Sequence, residues 1–173
     1  PIVSACSGTM AADSRAYGIS PIVEGVDFIT SALRVTTEEN ISVGEFVEQE
    51  VKKIGGKPYL MGYARPLAKG DERITAMERV SSELGFEIGP HLQLAYKIEQ
   101  VLSIRFDETM NINGFGSAFM ADQGLSPVDI YRIFSVMVSS GVTACYVDNA
   151  DKKRGTFSPL RVGDINYDGA LAR

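Results

Sequence analysis

The sequence predicts an all-α fold, and three observations support this prediction. Apolar residues recur at helical intervals of three and four along most of the chain. Helix-start signals precede these segments, and glycines follow several of them. No convincing run of alternating polar and apolar residues competes with this pattern. Only residues 2–3 and 59–61 are compatible with short extended pieces.

The first two predicted helices have clear start signals. A Ser-Pro pair at residues 20–21 opens a helix over residues 22–33. Ser42 opens the next helix, because its spacing to Glu45 is that of a capping box, in which each residue bonds a free N–H of the other. Gly55 provides the stop for this second helix.

The next two helices are predicted from Asp71 and from residues 89–90. Asp71 can cap a helix that ends at Gly85, and its apolar stripe is Ile74, Met77, Val80 and Leu84. The Gly-Pro pair at 89–90 opens a helix whose apolar positions span 92–102, since proline at the first helical position needs no N–H there.

The last third of the chain contains two further helical patterns. Residues 113–121 are apolar but interrupted by glycines, which predicts a short buried helix closed by Gly124. Residues 126–129 (SPVD) start a long helix that runs to about Val147. Its apolar positions are Ile130, Ile133, Phe134, Met137 and Val138. Residues 149–173 lack periodicity and are predicted to form an extended tail.

Composition limits the classes of protein to which the chain can belong. Its 173 residues suffice for one packed domain, and 45% apolar with 23% charged residues is typical of globular proteins. A net charge of −5 argues against non-specific nucleic-acid binding. We find no run approaching the roughly 20 apolar residues of a membrane span and no signal-like leader. We therefore expect a cytoplasmic protein that contacts neither membrane nor nucleic acid.

Histidine and cysteine are rare. His91 is the only histidine, so a histidine-rich zinc site within this chain is excluded, and we expect no metal. It falls in the first turn of a predicted helix, where solvent exposure or capping is the default role. Cys6 and Cys145 are isolated and lack metal-type spacing. We expect buried free thiols, although a disulfide between them stays open.

Two segments invite a chemical interpretation. Residues 114–116 (GFG) contain a G-x-G, but no predicted strand precedes it, so we interpret it as a small-residue helix contact. The loop at 62–73 places Arg65, Lys69 and Arg73 among glycine and proline just before a helix start. Guanidinium groups suit carboxylates and phosphates, so the loop is either an anion-binding site or a solvated linker.

This loop also carries a family resemblance. Residues 61–168 resemble the C-terminal part of the citrate synthase superfamily, particularly its short citryl-CoA lyase-like members. The sequence GYAR at 62–65 is similar to the family's glycine-aromatic-glycine-histidine loop, and DER at 71–73 to its D-P-R. The sequence NING at 111–114 is similar to its N-V-D segment. Residues 10–33 resemble, more weakly, the segment that carries its H-G-G motif.

The resemblance implies a citrate synthase-like helical bundle with a large and a small lobe. Residues 1–35 and 110–173 would form the large-lobe-like helices and residues 36–109 the small-lobe-like helices, in one interleaved unit. Such proteins dimerise and bind a coenzyme A (CoA) thioester between the lobes. A carboxylate removes a proton next to the thioester, and histidines stabilise the resulting oxyanions, so that a C–C bond is formed or cleaved.

The residues expected to perform this chemistry are replaced. Ala64 (or Arg65, with a shifted gap) stands at the loop histidine and Asn113 at the catalytic aspartate. The H-G-G histidine corresponds to Ala16 or Tyr17. Asparagine has the shape of aspartate but no useful basicity, so these changes should abolish the standard reaction.

The binding positions are better preserved. Arg73 matches the D-P-R arginine, and Arg161 matches an arginine that reaches a neighbouring subunit's site. A third arginine falls at Val138 and is lost. Arg65 is a further candidate for binding the carboxylated substrate. Positions associated with CoA binding correspond, in this sequence, to Gly62, Tyr63 and Asn111.

Two hypotheses about function follow. In the first, the protein acts on a CoA thioester and a small carboxylic acid, either with a rebuilt site or as one subunit of a homo- or hetero-oligomer with another citrate synthase-like chain. In the second, it is a catalytically inactive structural or regulatory member of the same fold.

Overall fold

The computed structural model describes residues 2–12, 19–65 and 69–152, and seven α-helices lie within these ranges. They are α1 (Ile2–Ala12), α2 (Ile19–Glu38), α3 (Val43–Lys53), α4 (Glu72–Glu83), α5 (Pro90–Phe106), α6 (Ile112–Asp122) and α7 (Pro127–Ala150). The only β-type pairing within the described ranges is an isolated antiparallel bridge between Tyr63 and Met110. The prediction of an all-α fold is confirmed.

The two serine caps form as their spacing predicts. At the start of α3, the Glu45 N–H donates to Ser42 Oγ at 3.2 Å and the Ser42 N–H donates to the Glu45 carboxylate at 2.9 Å. The start of α7 repeats this reciprocal pattern with Ser126 and Asp129. Both pairs satisfy N–H groups that have no partner inside their helices.

Some boundaries differ from those predicted. Helix α2 begins before Pro21 and continues to Glu38. It can begin before the proline because the first four N–H groups of a helix have no intrahelical partner, and proline is tolerated among them. Residues 2–3 open α1 instead of forming an extended piece. An apolar pair is too short for periodicity to distinguish helix from strand.

The main core lies between α2, α3, α5 and α6. Ile98, Leu102, Phe115 and Ala118 are completely or almost completely shielded from solvent. Helices α2 and α6 cross closely at Gly25, where an added Cβ would come within 3.0 Å of Ser117 Cβ. This crossing places the first turn of α6 against the start of α2.

Two predicted apolar stripes are not buried. Helix α4 has no buried residue, and Met77, Val80 and Leu84 are 38–70% exposed. In α7 only Ile130 is buried, while Ile133 and Met137 are exposed. Helical periodicity correctly located both helices, but it does not determine whether another element covers the apolar side.

Helix α7 bears on the expectation about membranes without overturning it. By length and composition alone it could span a bilayer, and it is the one such helix among the described residues. Its serines and its glycine interrupt the apolar run, so no uninterrupted stretch of 20 apolar residues marks it in the sequence.

The expectation of buried free thiols is half right, since Cys6 and Cys145 are free but both are exposed.

Candidate functional site

The loop at residues 62–65 lies directly on the start of α6. The Asn111 N–H donates to the Gly62 carbonyl at 3.0 Å. Gly62 has a φ of +87°, and a Cβ there would lie 2.5 Å from Gly114 Cα. Both glycines are therefore needed, because the two backbones come too close for side chains between them.

Asn111 ties the loop to the helix. Its Oδ1 caps α6 by accepting the N–H groups of Asn113 and Gly114 at 2.9 and 3.3 Å. Its Nδ2 donates to the Ala64 carbonyl at 2.8 Å. Ala64 has a φ of +69°, a conformation that is uncommon for residues other than glycine. The Ala64 N–H donates to the Thr109 carbonyl at 2.8 Å, which holds it in this conformation.

The Asn113 side chain joins α6 to α2. Its Nδ2 donates to the Pro21 carbonyl at 2.8 Å, and its Oδ1 accepts from Ser117 Oγ at 3.4 Å. Ser117 Oγ also lies 3.2 Å from the Ile22 carbonyl. The carbonyl of Pro21 requires a donor, so this network fixes which end of the amide is nitrogen. A carboxylate could not donate this bond.

Asp71 is the centre of charge in the site. Its side chain is fully shielded from solvent and forms a two-point pair with Arg73, with Nε–Oδ1 and Nη2–Oδ2 distances of 2.8 and 2.7 Å. It caps α4 and accepts the Ile112 N–H at 2.8 Å, so it links the starts of α4 and α6. The bond from Arg73, more than any other contact, lowers the pKa of Asp71 to about 2.

The depressed pKa of Asp71 predicts a pH-dependent loss of stability. Since its pKa is about 2 in the folded protein and 3.8 ordinarily, its contribution is complete above pH 4 and is lost as the pH falls through 2. After allowance for screening at the exposed Arg73, we expect a loss of about 1 kcal/mol. Urea unfolding of the wild type and Asp71→Asn between pH 5 and 2 measures this. The difference between them should shrink with acid, and a constant difference would contradict it.

The two arginines of the loop retain free donors. A guanidinium has five N–H donors, and Arg73 uses two of them on the Asp71 carboxylate while its side chain stays 55% exposed. Arg65 bonds the Gly70 carbonyl and the Glu72 carboxylate through Nη1 alone, at 3.1 and 2.9 Å. Its Nε and Nη2 take no part in these two bonds, so both side chains can offer further donors to an anion.

Tyr63 occupies a different position. Its ring is buried in the core, and its hydroxyl donates to the Ala95 carbonyl at 3.0 Å. Burial raises the pKa of this hydroxyl far above its ordinary value of 10. The side chain therefore anchors the loop, and only the backbone of this residue borders the site.

The structure brings together most of the residues predicted for the site. One hydrogen-bonded network contains Gly62, Ala64, Arg65, Arg73, Asn111 and Asn113. Arg161, Ala16 and Tyr17 lie outside the described residues. Within the described ranges, no three His, Cys, Asp or Glu side chains are grouped so that they could hold a metal ion.

Sequence reasoning missed Asp122. This residue ends α6, yet its carboxylate accepts the backbone N–H groups of His91 and Leu92 at 2.9 and 3.0 Å and so caps α5. A signal was present, because an acidic residue in the last turn of a helix is unfavourable towards that helix's own dipole. Such a residue suggests a partner elsewhere.

Comparison with known proteins identifies the fold. No protein-family model matches the sequence, and no curated protein matches it. A solved structure of citryl-CoA lyase from Hydrogenobacter thermophilus is similar, with a TM-score of 0.68 and 17% sequence identity over 95% of this chain. This chain spans 62% of the length of that lyase chain. The protein thus has an all-α, citrate synthase-like fold, as the resemblance implied.

Proposed function

We propose that this chain binds a CoA thioester and a small carboxylic acid, and that it takes part in C–C bond formation or cleavage as one subunit of an oligomer. The observation that carries the proposal is the role of Asn113. The amide at the position expected for the catalytic base forms a bond between α6 and α2. In this proposal the substrates lie between the two predicted lobes, beside the loop at Gly62.

The chemistry of the network favours dependence on another chain. Proton abstraction beside a thioester needs a base whose pKa lies near the working pH. Among the described residues of this network, Asn113 has no basicity, and Asp71 is a weak base because its pKa is about 2. Tyr63 holds its proton against the Ala95 carbonyl. A second chain would therefore supply the base.

Arg73 and Arg65 support the binding half of the proposal. Both are cationic, partly exposed and held close to the start of α6 by the acidic residues around them. Their remaining N–H donors suit the carboxylate of an acid or the phosphates of CoA.

A second candidate is an inactive structural or regulatory member of this fold. The internal pairs favour it, since Asp71 engages Arg73 at two points and Glu72 engages Arg65. If these acids hold the arginines permanently, neither is free to bind a ligand. The two candidate functions therefore predict different results for ligand binding, which can be tested before any assay of turnover.

Calorimetric titration with CoA, acetyl-CoA and citrate distinguishes them. We expect saturable binding of CoA or acetyl-CoA and a rise of unfolding free energy of about 2.7 kcal/mol at a ligand concentration of 100 Kd. Arg73→Gln should weaken citrate binding at least tenfold and leave CoA binding within twofold. Arg79→Gln is the matched control, because Arg79 lies on the same helix and pairs only with Glu83 at the surface. Absence of binding by all three ligands would favour the inactive candidate, and equal losses for citrate and CoA would contradict the role of Arg73.

The exposed side of α7 is where we propose that a second citrate synthase-like chain docks. Residues 133–147 contain no charged side chain, although the whole chain carries a net charge of −5. Val136, Met137 and Val147 in this segment are each more than half exposed. A 24-residue helix is about 36 Å long, which is the scale of a protein interface.

Native mass measurement, with every chain identified, tests this docking. We expect an oligomer at micromolar concentration that Val136→Glu dissociates. Ile104→Glu should leave the oligomer intact, because Ile104 is a comparably exposed apolar residue on α5. A wild type that is monomeric, or that partitions into lipid vesicles through α7, would contradict a protein partner at this face.

A further inference from the structure

A second group of ionisable side chains lies at the other end of α6. Asn113 and Asp122 are nine positions apart, which corresponds to about 13.5 Å along the helix. There, an open, solvent-facing cavity of about 460 Å³ is bordered by α2, the start of α5 and the turn between α6 and α7. Its volume falls in the range typical of small-molecule sites. Neither Asn113 nor the loop at 62–65 lines it.

The chain's single histidine faces this cavity in a fixed orientation. His91 Nδ1 lies 2.8 Å from Asp122 Oδ1, and the Asp122 side chain is only 3% exposed. An ionised carboxylate can only accept, so Nδ1 carries the proton in this bond. Nε2 is therefore the remaining polar atom of the ring. The residue lines the cavity and its side chain is 17% exposed.

Gly89 makes this orientation possible. A Cβ on Gly89 would lie 2.5 and 2.7 Å from the two Asp122 carboxylate oxygens, so any larger residue would displace them. Asp122 also accepts two backbone N–H groups at the start of α5. The imidazole is thus held by a buried, three-bonded carboxylate.

The facing side of α2 supplies a cation. Arg34 lines the cavity two helical turns after Asp27, which lines it as well. The Arg34 guanidinium uses one nitrogen on Glu38 at 3.1 Å, and its other donors suit a carboxylate. Leu125 and Pro127 contribute apolar lining. Asp27 disfavours a second negative charge on the ligand.

We propose that this cavity binds a small hydroxy-monocarboxylate. Its carboxylate pairs with Arg34, its hydroxyl forms a hydrogen bond with His91 Nε2, and its carbon chain packs against Leu125 and Pro127. A hydroxyl can pair with Nε2 whether or not that atom carries a proton, the guanidinium requires an acceptor, and Asp27 disfavours di- and tricarboxylates. This site is separate from the network around Asn113, so it does not depend on the proposed CoA function.

NMR of the imidazole Cε1–H tests the proposal directly, because the full chain gives one histidine signal. The probes are lactate, 3-hydroxybutyrate and 4-hydroxybutyrate, with butyrate as the analogue that lacks the hydroxyl. Citrate and inorganic phosphate at equal ionic strength report any general anion effect. We expect a saturable shift with at least one hydroxy acid, and at least fivefold weaker binding of butyrate.

Two arginine variants complete the test. Arg34→Gln should weaken binding of the hydroxy acid at least tenfold, whereas Arg79→Gln should leave this binding unchanged. Arg79 is a matched control because it forms the same surface pair with an acid four residues later. The proposal is overturned if no probe shifts the signal, if all anions shift it without saturation, or if Arg34→Gln responds like the wild type.

Discussion

Replacing Gly114 with alanine is expected to lower the free energy of unfolding by about 3 kcal/mol. An added Cβ would strike the Gly62 carbonyl oxygen and lie 2.8 Å from Met110 Cγ. The carbonyl belongs to a backbone that cannot rotate away, since it also accepts the Asn111 N–H. The loop at 62–65 would have to separate from α6. Urea denaturation of the two proteins measures the loss.

Gly116→Ala is the control within the same helix. A Cβ there would lie 3.4 Å from Ile22 Cδ1, which is ordinary contact. Because alanine favours a helix interior over glycine, this variant should be neutral or more stable by up to about 1 kcal/mol. Equal destabilisation by the two alanines would show that the backbone approach of Gly62 and Gly114 does not matter.

The predicted helices succeeded where the signal was local. Ser42 and Ser126 each bond a residue three positions away, so their caps depend on nothing outside one turn. The prediction of burial failed where burial depends on elements that are distant in the sequence. The stripe in α4 has the same spacing as one in α5, yet α5 has five buried residues and α4 has none. Periodicity identifies an apolar side of a helix and leaves its covering undetermined.

The candidate site shows the same contrast between what local signals predict and what depends on distant elements. The association of the loop with the start of α6 was accessible through family resemblance, and the cap by Asp71 through its position. The bond from Asn113 to the Pro21 carbonyl joins residues 92 positions apart, and the contact of His91 with Asp122 joins residues 31 apart. Such pairs depend on how helices cross, which no local pattern specifies. The asparagine at position 113 indicated that this side chain lacks basicity, but not that its amide bonds the Pro21 carbonyl.

Asn113→Asp introduces a carboxylate at the position that the resemblance implies for the catalytic base, yet it is expected to lower the free energy of unfolding by about 2 kcal/mol. The Pro21 carbonyl would lose its donor and face a negative charge. The introduced carboxylate would also lack the two histidines that the resemblance implies for the reaction. We therefore expect no turnover of citryl-CoA or acetyl-CoA by this chain alone. Urea unfolding and a coupled CoA-release assay measure the two effects.

Asn149→Asp is the control for the effect of an added negative charge on the free energy of unfolding. Asn149 Nδ2 also donates to a backbone carbonyl at 2.8 Å, that of Cys145, but it does so on the exposed end of α7. Its replacement should cost only about 0.5 kcal/mol, because water can replace the lost donor. Equal costs at the two positions would contradict the structural role of the Asn113 amide. Turnover by Asn113→Asp alone would contradict the proposed dependence on a second chain, since a base at this position would then suffice for the chemistry.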